Sequence, residues 1–462
     1  MILKYLKKNF SAYHKPGGQK ELLGLALPMI IATASDGVMT FTDRLFLAKV
    51  GSEQMNASLA GGTSIQMLTF FFIGLIGYTT ALTAQYLGAN EKHNSSLTTF
   101  QAIIISLLAW PLIIAFKPLL GMMFTWLNTP QAQISYQIEY ISVLAYGVIF
   151  MLLRHTLSCY FVGIGRTKIV MVATVSAMLC NVLLDYVLIF GKFGIKPMGI
   201  SGAAIATVSG SVVAVIILLI AYCSKQNFRE FYIGKSFHFS SVIMKKLLYY
   251  GSPAGFEMLL NFIAFFFMIA MFQSKGDVES TATTIMFNWD LVSFIPLIGI
   301  ETSVTSLVGR YMGAGKPHFA HRAALSGIKT GIFYSVLILI LFIFIPKSLV
   351  LVFQPDIDSN IFEKALPIAV NMIQIASLYV LAETVIVAIV GALRGAGDTH
   401  FTMIASVAAH WTFVPVLYLC LHVFNLSVPF SWFILVVFFL IFTLVLVKRF
   451  KSGKWKKIKV IS

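Results

Sequence analysis

The sequence predicts an all-α membrane protein, with twelve transmembrane helices arranged in two pseudo-symmetric six-helix lobes. Three observations predict it. Of the 462 residues, 58% are hydrophobic and only 11% are charged, whereas soluble domains are about 45–50% apolar and about 25% charged. A soluble enzyme, a disordered chain and a fibrous protein are therefore poor fits. The apolar residues gather into twelve stretches near the roughly 20-residue length that crosses a bilayer as a helix. The second half of the chain also repeats features of the first.

Read between polar breaks, the first six spans lie near 22–48, 56–86, 98–122, 135–159, 169–191 and 200–223. The second six lie near 246–273, 280–309, 322–346, 365–391, 402–423 and 427–447. Several exceed roughly 20 residues and are expected to tilt or to project past the hydrocarbon. The basic start MILKYLKKNFSAYHKPGGQKE has no compact apolar core before a cleavage site. It does not read as a signal peptide, so the first span is expected to direct insertion.

The net charge is +16, from 34 Lys+Arg against 18 Asp+Glu. In a soluble protein that balance points to nucleic acid; here its distribution gives another reading. The two ends and the even-numbered loops hold 24 of the basic residues, and the odd-numbered loops hold 7. Basic loops stay in the cytoplasm, so both termini are expected there, and no nucleic-acid partner is expected. Cys159, Cys180, Cys223 and Cys420 lie in or at the ends of apolar stretches without C-x-x-C spacing. They read as free buried thiols with no metal or disulfide role.

The repeat is carried by short matches. Glu21–Pro28 (ELLGLALP) resembles Lys246–Pro253 (KLLYYGSP), and at the same offset TAQYLGAN ends like SLVGRYMGAG, with Gly88 against Gly313. FVGIGRTK (Phe161–Lys168) pairs with LRGAGDTH (Leu393–His400). Six spans per copy is an even number, so the copies share orientation, as in transporters whose halves are related by an axis along the membrane normal. The lobes are assigned to 1–235 and 236–462, joined by the basic connection around 224–246.

An ionised side chain at the bilayer centre costs at least about 2.5–3.5 kcal/mol on insertion scales, so such residues mark cavities or partners. The candidates are Asp36, Asp43, Asp185, Glu257, Asp290, Glu301 and Glu383. Glu257 falls 11 residues into the seventh span, about 16 Å along at 1.5 Å per residue and so near the midplane. Asn181 and Asp185 are four apart and share a helix face. Asp36 lies two turns before Asp43 and is expected to line the same cavity. Asp290 and Glu301 are 11 apart, again on one face. They are expected to contact substrate, or Glu301 to relay a proton, or, failing both, to pair with Arg154 or Lys329. Asn261 and Asn288 are candidate polar supports, and Trp289 offers a π-face to a cation. His155 and His410 read as packing residues. No Walker sequence is present to bind ATP, and neither a Ser/His/Asp arrangement nor an H-E-x-x-H motif suggests catalysis.

With TDRLFLAKVG in the first span, YLGANEK and VGRYMGAGKP as paired loops, and GALRGAGDT after the tenth span, the chain resembles the multidrug and toxic compound extrusion (MATE) family over about residues 15–450. The resemblance implies a twelve-helix, two-lobed antiporter that expels organic, often cationic, compounds in exchange for H⁺ or Na⁺, with no other cofactor. It marks Glu257 and Glu383 as cation-site acids of the C-terminal lobe, where Na⁺ would bind. It marks Asp43, Asn181 and Asp185 as the proton or cation site of the N-terminal lobe. Carrying both sets mixes NorM-like and DinF-like features. The expected setting is a monomer among lipids of a bacterial cytoplasmic membrane, with small organic cations as its partners. A lipid-linked-substrate flippase of the same superfamily is the alternative. Seven in-span acids against three bases favour cationic cargo over a diphosphate.

Overall fold

The computed structural model describes residues 13–126, 131–354 and 360–461; Lys4, Lys7 and Lys8 of the basic start lie outside them. The described residues form helices and connecting turns, with no strand. Twelve helices are long and apolar enough to cross a membrane. They are α1 (Gln19–Val50), α2 (Glu53–Gly88), α3 (Lys92–Leu120), α4 (Gln133–Gly163), α5 (Thr167–Phe190), α6 (Gly199–Tyr222), α7 (Ser241–Gln273), α8 (Asp277–Gly313), α9 (Pro317–Phe344), α10 (Asn360–Ala396), α11 (Thr399–Val423) and α12 (Val428–Ser452). This is a multi-pass membrane protein. Each helix matches an expected span to within a turn or two.

The overshoot matters most at α8 and α10, each 37 residues and about 55 Å long at 1.5 Å per residue. Both exceed the roughly 30 Å hydrocarbon core, and they are the two most enclosed spans. Arg394, which the spacing put in a loop, is thereby inside α10.

Helix ends follow local chemistry. After α5, Gly191 takes a left-handed φ of 67° and its N–H returns to the Val187 carbonyl, the usual glycine stop. The Ser240 hydroxyl caps α7 by accepting from Ile243 N at 3.4 Å, and Pro317 opens α9 where a missing N–H costs nothing. The repeat prolines Pro28 and Pro253 lie inside α1 and α7. One break is not visible in the hydropathy: α2 is interrupted at Tyr78, between Ser52–Gly77 and Thr79–Gly88. There His155 Nε2 of α4 lies 3.1 Å from the Ile73 carbonyl.

Packing separates two groups of helices and then ties them together. One apolar cluster is built from α1, α4, α5 and α6, with Tyr160, Ala177 and Leu218 at its centre. Another is built from α7, α8, α10, α11 and α12 around Phe272 and Trp432. Two further clusters cross between the groups. One joins α1 to α8, α9, α10 and α12; the other joins α2–α4 to the start of α7 and to Val460 of the tail.

The repeat glycines explain how the groups meet. A Cβ on Gly88 would lie 1.9 Å from the Arg310 carbonyl oxygen, and one on Gly313 would lie 1.9 Å from that of Gln85. The ends of α2 and α8 therefore cross backbone to backbone, which only glycine permits. Around that crossing Gln85 Nε2 donates to the Gly395 carbonyl at 2.8 Å and Ser306 Oγ donates to that of Val162 at 2.6 Å. Each half thus grips the end of a helix of the other, within the repeated segments.

The connection between the halves is ordered by the N-terminal half. It carries short helices at Lys225–Glu230 and Ile233–Lys235. Ser96 Oγ donates to the Phe231 carbonyl at 2.7 Å, and Gln101 Nε2 to that of His238 at 2.9 Å. Glu230 pairs with Lys92 at 3.1 Å and with Arg166 at 2.7 Å. The cysteines depart in part from expectation: Cys159 and Cys420 are buried, Cys180 is half-buried, and Cys223 is exposed because it sits where α6 ends.

Candidate functional sites in the two helix groups

In the N-terminal group three helices converge on one buried polar cluster. Asp43 of α1 and Asn181 and Asp185 of α5 are all buried, the latter two on one face of their helix. The two carboxyl groups and the Asn181 amide lie near enough for their charges and dipoles to influence one another. Thr207 Oγ1 of α6 donates to Asp43 Oδ2 at 3.0 Å. Asp43 Oδ1, both Asp185 oxygens and both Asn181 amide atoms have no hydrogen-bond partner among the described residues. Arg44, adjacent in sequence, is exposed and makes no ion pair with Asp43. The cluster is thus two acids without a base, a costly arrangement unless a cation or proton sits between them.

Asp36 is not part of it. The expected shared cavity is replaced by an ion pair with Arg154 of α4, in which Asp36 is half-buried. Two turns of α1 carry the side chain past the buried cluster, toward the helix that holds the arginine.

In the C-terminal group α8 and α10 supply the acids. Asp290 and Glu383 line a cavity of about 80 Å³ together with Tyr379, His410, Trp432 and Phe439. That volume holds water or a small cation. Tyr379, one turn before Glu383, donates its hydroxyl to Asp290 Oδ1. Glu383 Oε2 has no hydrogen-bond partner. Among the described residues, no basic side chain lies within ion-pair distance of either acid. His410 instead holds the Ser406 carbonyl through Nδ1 at 2.8 Å.

Glu257 and Glu301 form a separate group. Arg394 Nη2 lies 3.1 Å from Glu257 Oε2, and Nη1 lies 2.5 Å from Glu301 Oε1. Glu301 was expected to face substrate, to relay a proton, or to pair with Arg154 or Lys329. It pairs with Arg394 because α10 runs a turn further than the hydropathy suggests. Glu257 therefore does not share the Glu383 cavity. Asn261, one turn on from Glu257, donates to Ser406 Oγ at 2.7 Å and leaves its own oxygen unpaired.

Two expected cavity residues are elsewhere. Trp289 donates its indole N–H to the Leu349 carbonyl at 2.9 Å and packs on Phe353. Its ring is an anchor for the short helix Pro346–Leu351 rather than a cation platform. Asn288 is exposed, is bonded to the Thr284 carbonyl of its own helix and is not among the residues lining the Asp290/Glu383 cavity. Sequence reasoning missed Tyr379 and Thr207. The spacing of four between Tyr379 and Glu383 was a usable signal; Thr207 left none.

The MatE family model matches residues 28–187 and 253–419, one segment in each half. The chain belongs to the MATE family. Among curated relatives, Multidrug resistance protein PmpM of Pseudomonas aeruginosa is 28% identical over 401 residues, covering 85% of this chain and 81% of the relative. Probable multidrug resistance protein NorM of Thermotoga maritima is 26% identical over 459 residues, covering 97% and 95%. Among solved structures, a MATE in complex with MaL6 superposes with a TM-score of 0.86 at 20% identity, covering 97% of this chain and 98% of that one. At that identity the likeness establishes the fold: this MATE chain has the twelve-helix architecture of its structural neighbours.

Proposed function

We propose that this MATE transporter exports organic, mostly cationic, drugs and toxic compounds across a bacterial cytoplasmic membrane, in exchange for H⁺ or Na⁺. The observation that carries the reading is a pair of acid clusters, buried Asp43/Asp185 and half-buried, cavity-lining Asp290/Glu383, neither of which has a basic partner among the described residues. An acid kept in an apolar bundle without a base is stabilised by whatever cation reaches it. A small ion and a positively charged drug then compete for the same electrostatic vacancy, and that competition is antiport. The names of the curated relatives support multidrug cargo.

In this mechanism the lobes, residues 1–235 and 236–462, rock about the α2–α8 crossing. Ion binding drives the change only through its different affinity for the two states. Asp43, Asn181 and Asp185 take the ion in one lobe. Asp290, Tyr379 and Glu383 take it in the other, with Na⁺ as one candidate at Glu383. Glu257 keeps a coupling role modified by Arg394. The excess of basic residues at the ends and even-numbered loops supports cytoplasmic termini; protease access to a tag at each end, from either side of the membrane, tests it. For the function itself the experiment is ethidium accumulation in cells lacking their own efflux pumps. Expression should lower accumulation, and the Asp185→Asn/Glu383→Gln variant should restore it. Equal accumulation with and without the protein would contradict the reading.

A further inference from the structure

The group around Arg394 has a geometry of its own. It contains two carboxylates and one guanidinium, so it carries a single surplus negative charge. It is also poorly satisfied. The Glu257 contact is close without meeting hydrogen-bond alignment, so Glu257 Oε2 and Arg394 Nε are buried atoms with no hydrogen-bond partner. A buried charge left in that condition costs more than one fully bonded. Glu257 is only 3% exposed, but Arg394 and Glu301 are 27% and 17% exposed, so the group is more accessible at Glu301 and Arg394 than at Glu257.

Its place in the fold is the junction between the helix groups. Backbone of Ala254 and Gly255, one turn before Glu257, lies against Gly74 of α2. Gly299, two residues before Glu301, lies against Ile30 of α1. Arg394 belongs to the LRG segment whose Gly395 carbonyl is held by Gln85 from the other half. Any motion that separates the halves must move the surroundings of all three charges.

We propose that Arg394 is a tethered cation that occupies Glu257 and Glu301 in the empty carrier, and that positively charged cargo binds by displacing it from Glu301. The guanidinium presents to these oxygens what a monovalent organic cation would present, and the two cannot hold the same carboxylate together. The surplus charge of the group admits one such cation. Arg394 thereby sets a threshold of affinity: cargo must compete with a resident ligand, and departing cargo is replaced by it. This inference rests on the cationic-cargo reading above and assigns Arg394 and Glu301 as residues that determine specificity for charge.

The test is ethidium binding, read by fluorescence anisotropy, to the purified full-length protein in detergent. Size-exclusion profiles report folding of each variant. Arg394→Gln removes the competitor and should tighten binding about tenfold, whereas Glu301→Gln removes the exposed acid and should weaken it about tenfold. The double variant restores the single surplus charge and should return to within about threefold of the parent protein, as should Arg394→Lys. A purely structural role predicts the reverse pattern, because glutamine at 301 still accepts from Arg394 and should be silent. Parent-like binding by Glu301→Gln, or weaker binding by a folded Arg394→Gln, overturns the proposal. If Arg394→Gln does not fold, Glu301→Gln and Arg394→Lys decide. Absence of ethidium binding by the parent protein overturns the cationic-cargo reading as well, whereas binding indifferent to these substitutions overturns this proposal alone.

Discussion

Glu383 and Trp289 show how far a side chain's identity predicts its work. Both were candidates because their chemistry suits a cation, but the structure separates them. Glu383 faces a cavity with an unpaired oxygen, and Trp289 is fastened to a carbonyl. Glu383→Gln, which keeps the shape and removes the charge, should cut ion-driven ethidium transport at least about tenfold while the protein still purifies as a monodisperse species. Transport at the parent rate would remove Glu383 from the coupling site. Trp289→Phe should instead leave the ethidium Kd unchanged and cost about 1 kcal/mol of stability, one lost hydrogen bond, visible as a lower Tm. The acids were legible in the sequence because charge in an apolar run is conspicuous. Their partners were not, because Arg154 for Asp36, Tyr379 for Asp290 and Arg394 for Glu257 and Glu301 come from helices distant in sequence. Periodicity fixes which face a residue occupies and says nothing of which helix lies opposite.

Among the helices, α2 and α8 carry the most consequential contact. Their ends cross at Gly88 and Gly313, where an added methyl meets backbone oxygen rather than a yielding side chain. Gly313→Ala should therefore lower the Tm, by an overpacking cost of about 1–3 kcal/mol, and should speed crosslinking of cysteine pairs placed to trap the halves apart. An unchanged Tm together with unchanged crosslinking would mean that the crossing is looser than described. The connection between the halves depends on charge. Lys92 donates to Glu230, with Arg166 beside it, and together they hold the Glu230 carboxyl below the ordinary carboxylate range. A carboxylate so lowered stabilises the fold above its unfolded value of about 4.3, and that contribution fades as pH falls through the folded value. Glu230→Gln should thus lower the Tm slightly at pH 7, since a partly exposed pair is worth about 0–1 kcal/mol, and the difference should close below about pH 4. A difference that grows on acidification would contradict the assignment. The number of helices was readable from apolar runs and the repeat from loop glycines. The interruption of α2 at Tyr78 was not, because Gly77, Thr79 and Thr80 sit in a long run with no charge or proline to mark an end, and the contact at the break comes from His155 of α4.

Across the entire protein the two-lobed reading came from a repeat of a few short segments, and the structure gives those segments a shared job. Pro28 and Pro253 lie in corresponding helices, Gly88 and Gly313 cross, and the C-terminal ends of α4 and α10 are each gripped by the opposite half. The matched residues are where the halves touch, which is why they stand out from interchangeable apolar surroundings. Sequence could not show that the seven acids separate into two pairs without a base, one group holding Arg394, and Asp36 paired with Arg154. The most direct test of cation exchange is ethidium movement in proteoliposomes containing only this protein, under an imposed pH gradient and then under a Na⁺ gradient. At least one inward-directed ion gradient should drive ethidium outward against its own gradient, and Asp185→Asn/Glu383→Gln vesicles should not respond. Ethidium movement indifferent to both gradients, or an undiminished response in the double variant, would contradict it.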